Sequence, residues 1–166
     1  HHFPKARITL VDVNDDHLGR ARRRLSDYAD QLSWVHADFA RTDPPGKFDA
    51  TVSALALHHI SDLDKRTLYR SLYYALNRMG SLVVADRLHG PTPAIYALDK
   101  KIWQREVHQG GAEDTEIKQA QASHAEDFHS TLNEHLEWLR ISGFLDVDIH
   151  YKNVMYSVFG GHRPDV

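Results

Sequence analysis

Short apolar, β-branched runs alternate with helical periodicities through the first half of the chain. Residues 7–13 (RITLVDV) predict a buried parallel strand. Asn14, Asp15 and Asp16 follow as helix starters, and the acids suit the positive end of a helix dipole. The predicted helix runs to about Tyr28, with Leu18, Ala21, Leu25 and Tyr28 on one face. Residues 32–37 (LSWVHA) predict a second strand, 42–47 (TDPPGK) a turn and 48–53 (FDATVS) a third strand. A helix is expected over 64–78, carrying Leu68, Leu72, Ala75 and Leu76, with Gly80 as the residue that stops it. Residues 81–86 (SLVVAD) predict a fourth strand. Strands and helices in this alternation imply an α/β fold, doubly wound and Rossmann-like, with right-handed crossovers onto a mostly parallel sheet.

The rhythm then changes. Gly90-Pro91-Thr92-Pro93 breaks the pattern, and the stretch to His129 is polar and helical, rich in Glu, Gln, Asp and His. Ile95, Leu98, Ile102 and Trp103 form an apolar stripe, and Gly110-Gly111 divides the segment into two expected helices. Residues 91–129 are too long for a plain connection, so a helical insertion or lid is expected. A helix over 130–142 follows, ending at Gly143. Strands over 145–151 and 154–161, joined at Lys152-Asn153, predict a terminal antiparallel hairpin.

Composition changes this picture little. The chain has 166 residues, 42% of them hydrophobic, which suits one domain with a core. Lys and Arg number 20 against 23 Asp and Glu, so nothing draws the chain to nucleic acid or an anionic membrane. Arg20 and Arg22–Arg24 read as a solvated helix face. Apolar runs are too short to span a bilayer, no cysteine is present, and a cytoplasmic location is the default. The 13 histidines are scattered without metal-ligand spacing, so no metal site is expected. His1 and His2 read as a tag remnant or as native residues ending a helix.

Chemistry is expected just past the strand ends, where open α/β sheets bind ligands. Asp12 ends the first strand, and a carboxylate there accepts hydrogen bonds from both hydroxyls of a ribose. Asp38 and Phe39 follow the second strand, placing an acceptor for an exocyclic amine beside a ring for a base. The stretch 53–59 (SALALHH) follows the third, and Asp86, Arg87, Leu88 and His89 the fourth. In this order they suggest adenosine across three strand ends. Such a ligand also needs a glycine-rich turn about 20 residues before the ribose acid. Only eleven residues precede Asp12, so the turn is expected before His1 and the domain, taken as residues 1–166, is expected to be N-terminally incomplete.

The series ITLVDVNDDHL, VHADF, FDATVSALALHHI, SLVVAD and the late GFLDVDIHYKN resembles class I S-adenosylmethionine-dependent methyltransferases, in the small-molecule branch with a helical insertion after the fifth strand. The resemblance implies a seven-stranded sheet whose last strand is antiparallel, and S-adenosyl-L-methionine as cofactor. It implies ribose binding by Asp12, adenine contacts from Val13, Asp38 and Phe39, and Ser53 and Ala54 beneath the methionine part. The expected reaction is direct methyl displacement onto a small-molecule acceptor, possible without a metal. His59, His58 and His89 are the candidate bases, and Tyr96, Trp103 and His129 the candidate acceptor contacts. Neither nucleic acid nor membrane is expected as a partner, whereas a homodimer is compatible. Two rival readings are a catalytically inactive methyltransferase-like module for binding or dimerisation, and a nicotinamide-dependent reductase that shares the ribose acid.

Overall fold

The computed structural model describes residues 3–124 and 127–165. His1 and His2, and residues 125–126 of the expected insertion, lie outside them. The chain forms two compact units, 1–44 and 45–166.

In the first unit, β1 (Ile8–Asp12) leads through α1 (Asp15–Arg24) to β2 (Leu32–His36). The strands pair in parallel from Ile8↔Leu32 to Asp12↔His36. Asn14 caps α1, its side chain accepting from the amides of Asp16 and His17. Acids in the first turn and Arg22–Arg24 in the last oppose the helix dipole. The helix stops before the predicted Tyr28, and Ser26–Gln31 tightens into a 3₁₀ turn. Ser26 and Asp27 there are residues whose side chains favour caps and turns over helix interior. Arg22 lies 5.6 Å above the Trp34 ring, while Arg22–Arg24 remain exposed to solvent.

The second unit contains β3 (Phe48–Ala54), α2 (Asp62–Ala75), β4 (Leu76–Arg87), α3 (Pro93–Gln109), α4 (Asp114–His124), α5 (Leu132–Ile141), β5 (Leu145–Asn153) and β6 (Tyr156–His162). Its sheet runs β3-β4-β6-β5, parallel between β3 and β4 and antiparallel across the other two pairs. The mixed sheet with its terminal hairpin is the α/β class that the alternation of runs predicts. Tyr69 and Leu68 of α2, Leu136 and Leu139 of α5, and Leu82 and Phe159 of the sheet form the core. Thr131 caps α5 in a reciprocal capping box with Glu134.

Three local expectations are corrected. The helix before β4 ends at Ala75, and Gly80 lies inside β4. Leu76 is fully buried and pairs with Phe48, so the sheet takes over there. Gly80 serves close approach instead, because a Cβ on it would stand 2.8 Å from the Asn77 carbonyl oxygen. The hairpin turns at Val154-Met155, with Lys152 and Asn153 still in β5. Val154 takes a φ of 53°, and the burial of Met155 holds the turn in that conformation. On α3, Ile95 and Leu98 of the expected stripe are exposed, and Asp99 is the buried position. Helical spacing identified a face there without identifying which side covers it.

Candidate active site

The C-terminal ends of β3 and β4 lie together because the strands are parallel neighbours. β3 ends at Ala54, and the next residue, Leu55, adopts a φ of 52° while its amide donates to the Ala85 carbonyl. A non-glycine residue in this region is held there by its surroundings, a condition common beside functional sites. A 3₁₀ turn, Leu57–His59, follows. Leu57 is buried and anchors it, turning His58 inward while the His59 side chain stays 60% exposed.

β4 ends with Asp86 and Arg87, both buried. Asp86 Oδ1 stands 2.5 Å from His58 Nδ1 and accepts the Arg87 amide, while Oδ2 accepts the His58 amide at 3.1 Å. One carboxylate therefore fixes both the backbone and the ring of His58. Asp127 pairs with Arg87 through Oδ2 and lies 2.9 Å from His59 Nδ1 through Oδ1. Burial alone raises the Asp127 carboxyl, but the charges of His58 and Arg87 and the bond from His59 outweigh it and hold the group below its ordinary range.

A buried lysine fastens the segment that carries Asp127. Lys65 Nζ donates to the Phe128 carbonyl at 2.5 Å and to Ser130 Oγ at 2.7 Å, and pairs with Asp62 at 3.2 Å. The Phe128 amide donates to the His58 carbonyl, and the His89 amide to that of Ser130. Burial draws the Lys65 ammonium below the ordinary lysine range, with Asp62 opposing the shift.

Beside this cluster opens a cavity of about 440 Å³, lined by His89, Tyr96, Lys100, Trp103, Gln121, Asp127 and His129. His89 stacks on Tyr96 at 3.7 Å, and Lys100 lies 4.7 Å above the same ring. The structure thus gathers four sequence-predicted residues, His89, Tyr96, Trp103 and His129, around one space. The His129 ring stacks 6.4 Å from that of His58. Sequence reasoning missed Asp127 and Lys65. It named Asp86 as a strand-end residue without its role; the available signal was an acid ending the strand next to the one that leads to His58.

In the first unit, Asp12 ends β1, accepts the Asn14 amide at 2.8 Å and faces His17, with its side chain 37% exposed. Val13 is exposed, and its carbonyl lies 2.8 Å from His36 Nε2. Asp38 Oδ1 accepts the Ala40 amide in a tight turn that includes Phe39. In the second unit, Ser53 and Ala54 close β3.

The family described as "Methyltransferase domain" matches residues 1–80. That match spans just under half of the chain, which over these residues is similar to a methyltransferase domain. An uncharacterised methyltransferase of Mycobacterium bovis is 40% identical to this chain over 77 residues, which cover 46% of the chain and 34% of the relative. The chain thus spans about a third of that relative's length. The fold matches the apo crystal structure of the S-adenosylmethionine-dependent methyltransferase SibL, with a TM-score of 0.69 at 20% identity over 97% of this chain and 44% of that one. It also matches human N-acetylserotonin methyltransferase in complex with SAM, with a TM-score of 0.64 at 17% identity over 98% and 42% of the two chains. Among the described residues, no helix is long and apolar enough to cross a membrane.

Proposed function

We propose that the protein transfers a methyl group from S-adenosyl-L-methionine to a small-molecule acceptor, with His58 as general base. The observation that carries this reading is the buried His58–Asp86 pair at a strand end. Asp86 accepts the Nδ1–H of His58, which leaves Nε2 with its lone pair. Nε2 takes the proton of the acceptor's hydroxyl or amine as that atom attacks. The cofactor supplies a methyl group on a sulfonium, which leaves as a neutral thioether. The enzyme's share is then position and proton removal, effects worth roughly 7–11 kcal/mol and about 10²–10⁴-fold respectively.

Asp12 suits the cofactor's ribose: its carboxylate ends a strand and keeps enough exposure to accept hydroxyl donors beyond the Asn14 amide. Val13, Asp38, Phe39, Ser53 and Ala54 keep the contacts that the family resemblance implies. Tyr96, Trp103 and His129 line the acceptor cavity, and 91–129 acts as its lid. His89, stacked on Tyr96, shapes that cavity rather than serving as base. His59 stands outside the proton transfer, since its ring is exposed and bound to Asp127. An inactive module has no need of a buried His–Asp pair, and the reductase reading gains no support from the comparisons.

The test uses the full-length enzyme with a panel of small hydroxy and amine acceptors, following release of S-adenosylhomocysteine. His58→Ala and Asp86→Asn are expected to lower kcat about 10²–10⁴-fold and about 10-fold or more respectively, with unchanged affinity for S-adenosylhomocysteine. Wild-type turnover in His58→Ala removes it as the base.

A further inference from the structure

His58, His59 and Asp127 each offer a ligand atom, and the three atoms lie within 4.8 Å of one another. We propose that these residues bind a divalent transition-metal ion, with zinc the best fit, and that the bound ion silences the base. Only the second half of this proposal rests on the reading of His58 given above.

Two imidazoles and a carboxylate form a borderline nitrogen–oxygen set, the kind that zinc takes with water completing its coordination. Asp86 on His58 Nδ1 commits Nε2 to any metal. A carboxylate behind a ligating histidine is the usual support of such a ligand, fixing its tautomer and raising its basicity. His59 Nδ1 and Asp127 Oδ1 are 2.9 Å apart. Two ligands about 2.1 Å from one tetrahedral ion stand roughly 3.4 Å apart, so a shift of about half an ångström admits it.

Asp86 and Asp127 set two carboxylates at the cluster, with the Arg87 guanidinium on Asp127 and the Lys65 ammonium within electrostatic reach of Asp86. Arg87 engages Asp127 Oδ2, so Oδ1 can turn from His59 to an ion without breaking that pair. The exposed ring of His59 leaves a path from solvent. An ion on Nε2 of His58 occupies the lone pair that the acceptor's proton requires, and turnover stops while it stays.

Calorimetric titration of the metal-free protein with zinc chloride tests the site. Binding at one strong site is expected, weakened about 10-fold or more in His59→Ala and Asp127→Asn. Asp86→Asn is expected to weaken it about 10–100-fold through the supporting bond. His59 is exposed, so its variant keeps the fold if the buried acids do not tolerate change. Undiminished affinity in His59→Ala, or a loss produced instead by His17→Ala with His36→Ala, overturns the site. In the active enzyme, zinc is expected to inhibit over the concentration range in which it binds, and a chelator to restore turnover. Zinc bound at the site with turnover intact overturns the silencing. Absence of methyl transfer under all conditions overturns the base reading and leaves the titration to decide the metal site.

Discussion

At the scale of single residues, the most consequential buried group outside the site is His135. Its ring is 1% exposed, and Nδ1 lies 2.6 Å from the Tyr69 hydroxyl, in hydrogen-bond contact with it. Burial and the nearby Lys65 charge push its pKa down to about 4. The unfolded chain therefore takes up this proton near pH 6.5, while the folded protein resists until about pH 4. Stability is complete above pH 6.5 and declines as pH falls through that window, by about 3 kcal/mol from this group. Urea unfolding at pH 7 and pH 5 checks it: the loss between the two is expected to shrink in His135→Gln. None of this was legible in the sequence, where His135 is one polar letter inside a helix. Its burial depends on α5 lying over the sheet. The pairing of His58 with Asp86 was hidden for a related reason: 28 residues separate them, and only the register of β3 on β4 joins them.

At the scale of elements, the hydrophobic pattern located every strand and helix of the second unit, and missed mainly where a backbone device ended one. Gly80 and Val154 show why. Each marks a place where the chain bends at close quarters, and a glycine or a turn-like dipeptide looks the same whether it ends a helix or kinks a strand. Gly160 is the sharpest case. It sits in β6 opposite Val83, and a Cβ there would fall 2.1 Å from the Leu82 carbonyl oxygen. Gly160→Ala is expected to separate β6 from β4 and cost more than about 2 kcal/mol, read as a lower urea midpoint. Because β4 ends in Asp86, turnover is expected to fall with it.

At the scale of the molecule, the resemblance to methyltransferases was legible because strand-end residues keep their order along the chain, whatever the detail of the elements between them. The cavity beside the cluster was legible in part: Tyr96, Trp103 and His129 of the segment after β4 line it. Asp127 was not, because nothing in its sequence setting distinguishes it from the polar residues around it. The cofactor half of the proposal has its own check. Saturating S-adenosylhomocysteine, at about 100 times its Kd, is expected to stabilise the full-length protein by about 2.7 kcal/mol. In Asp12→Asn the same concentration is expected to give a smaller thermal shift, and an equal shift removes Asp12 from the site. The lysine that fastens 127–131 adds a different kind of handle. At 1% exposure, the Lys65 amine is closed to acylating reagents that reach the surface lysines. Its rate of chemical labelling is therefore a clock for how often the wall of the cavity lifts away from α2.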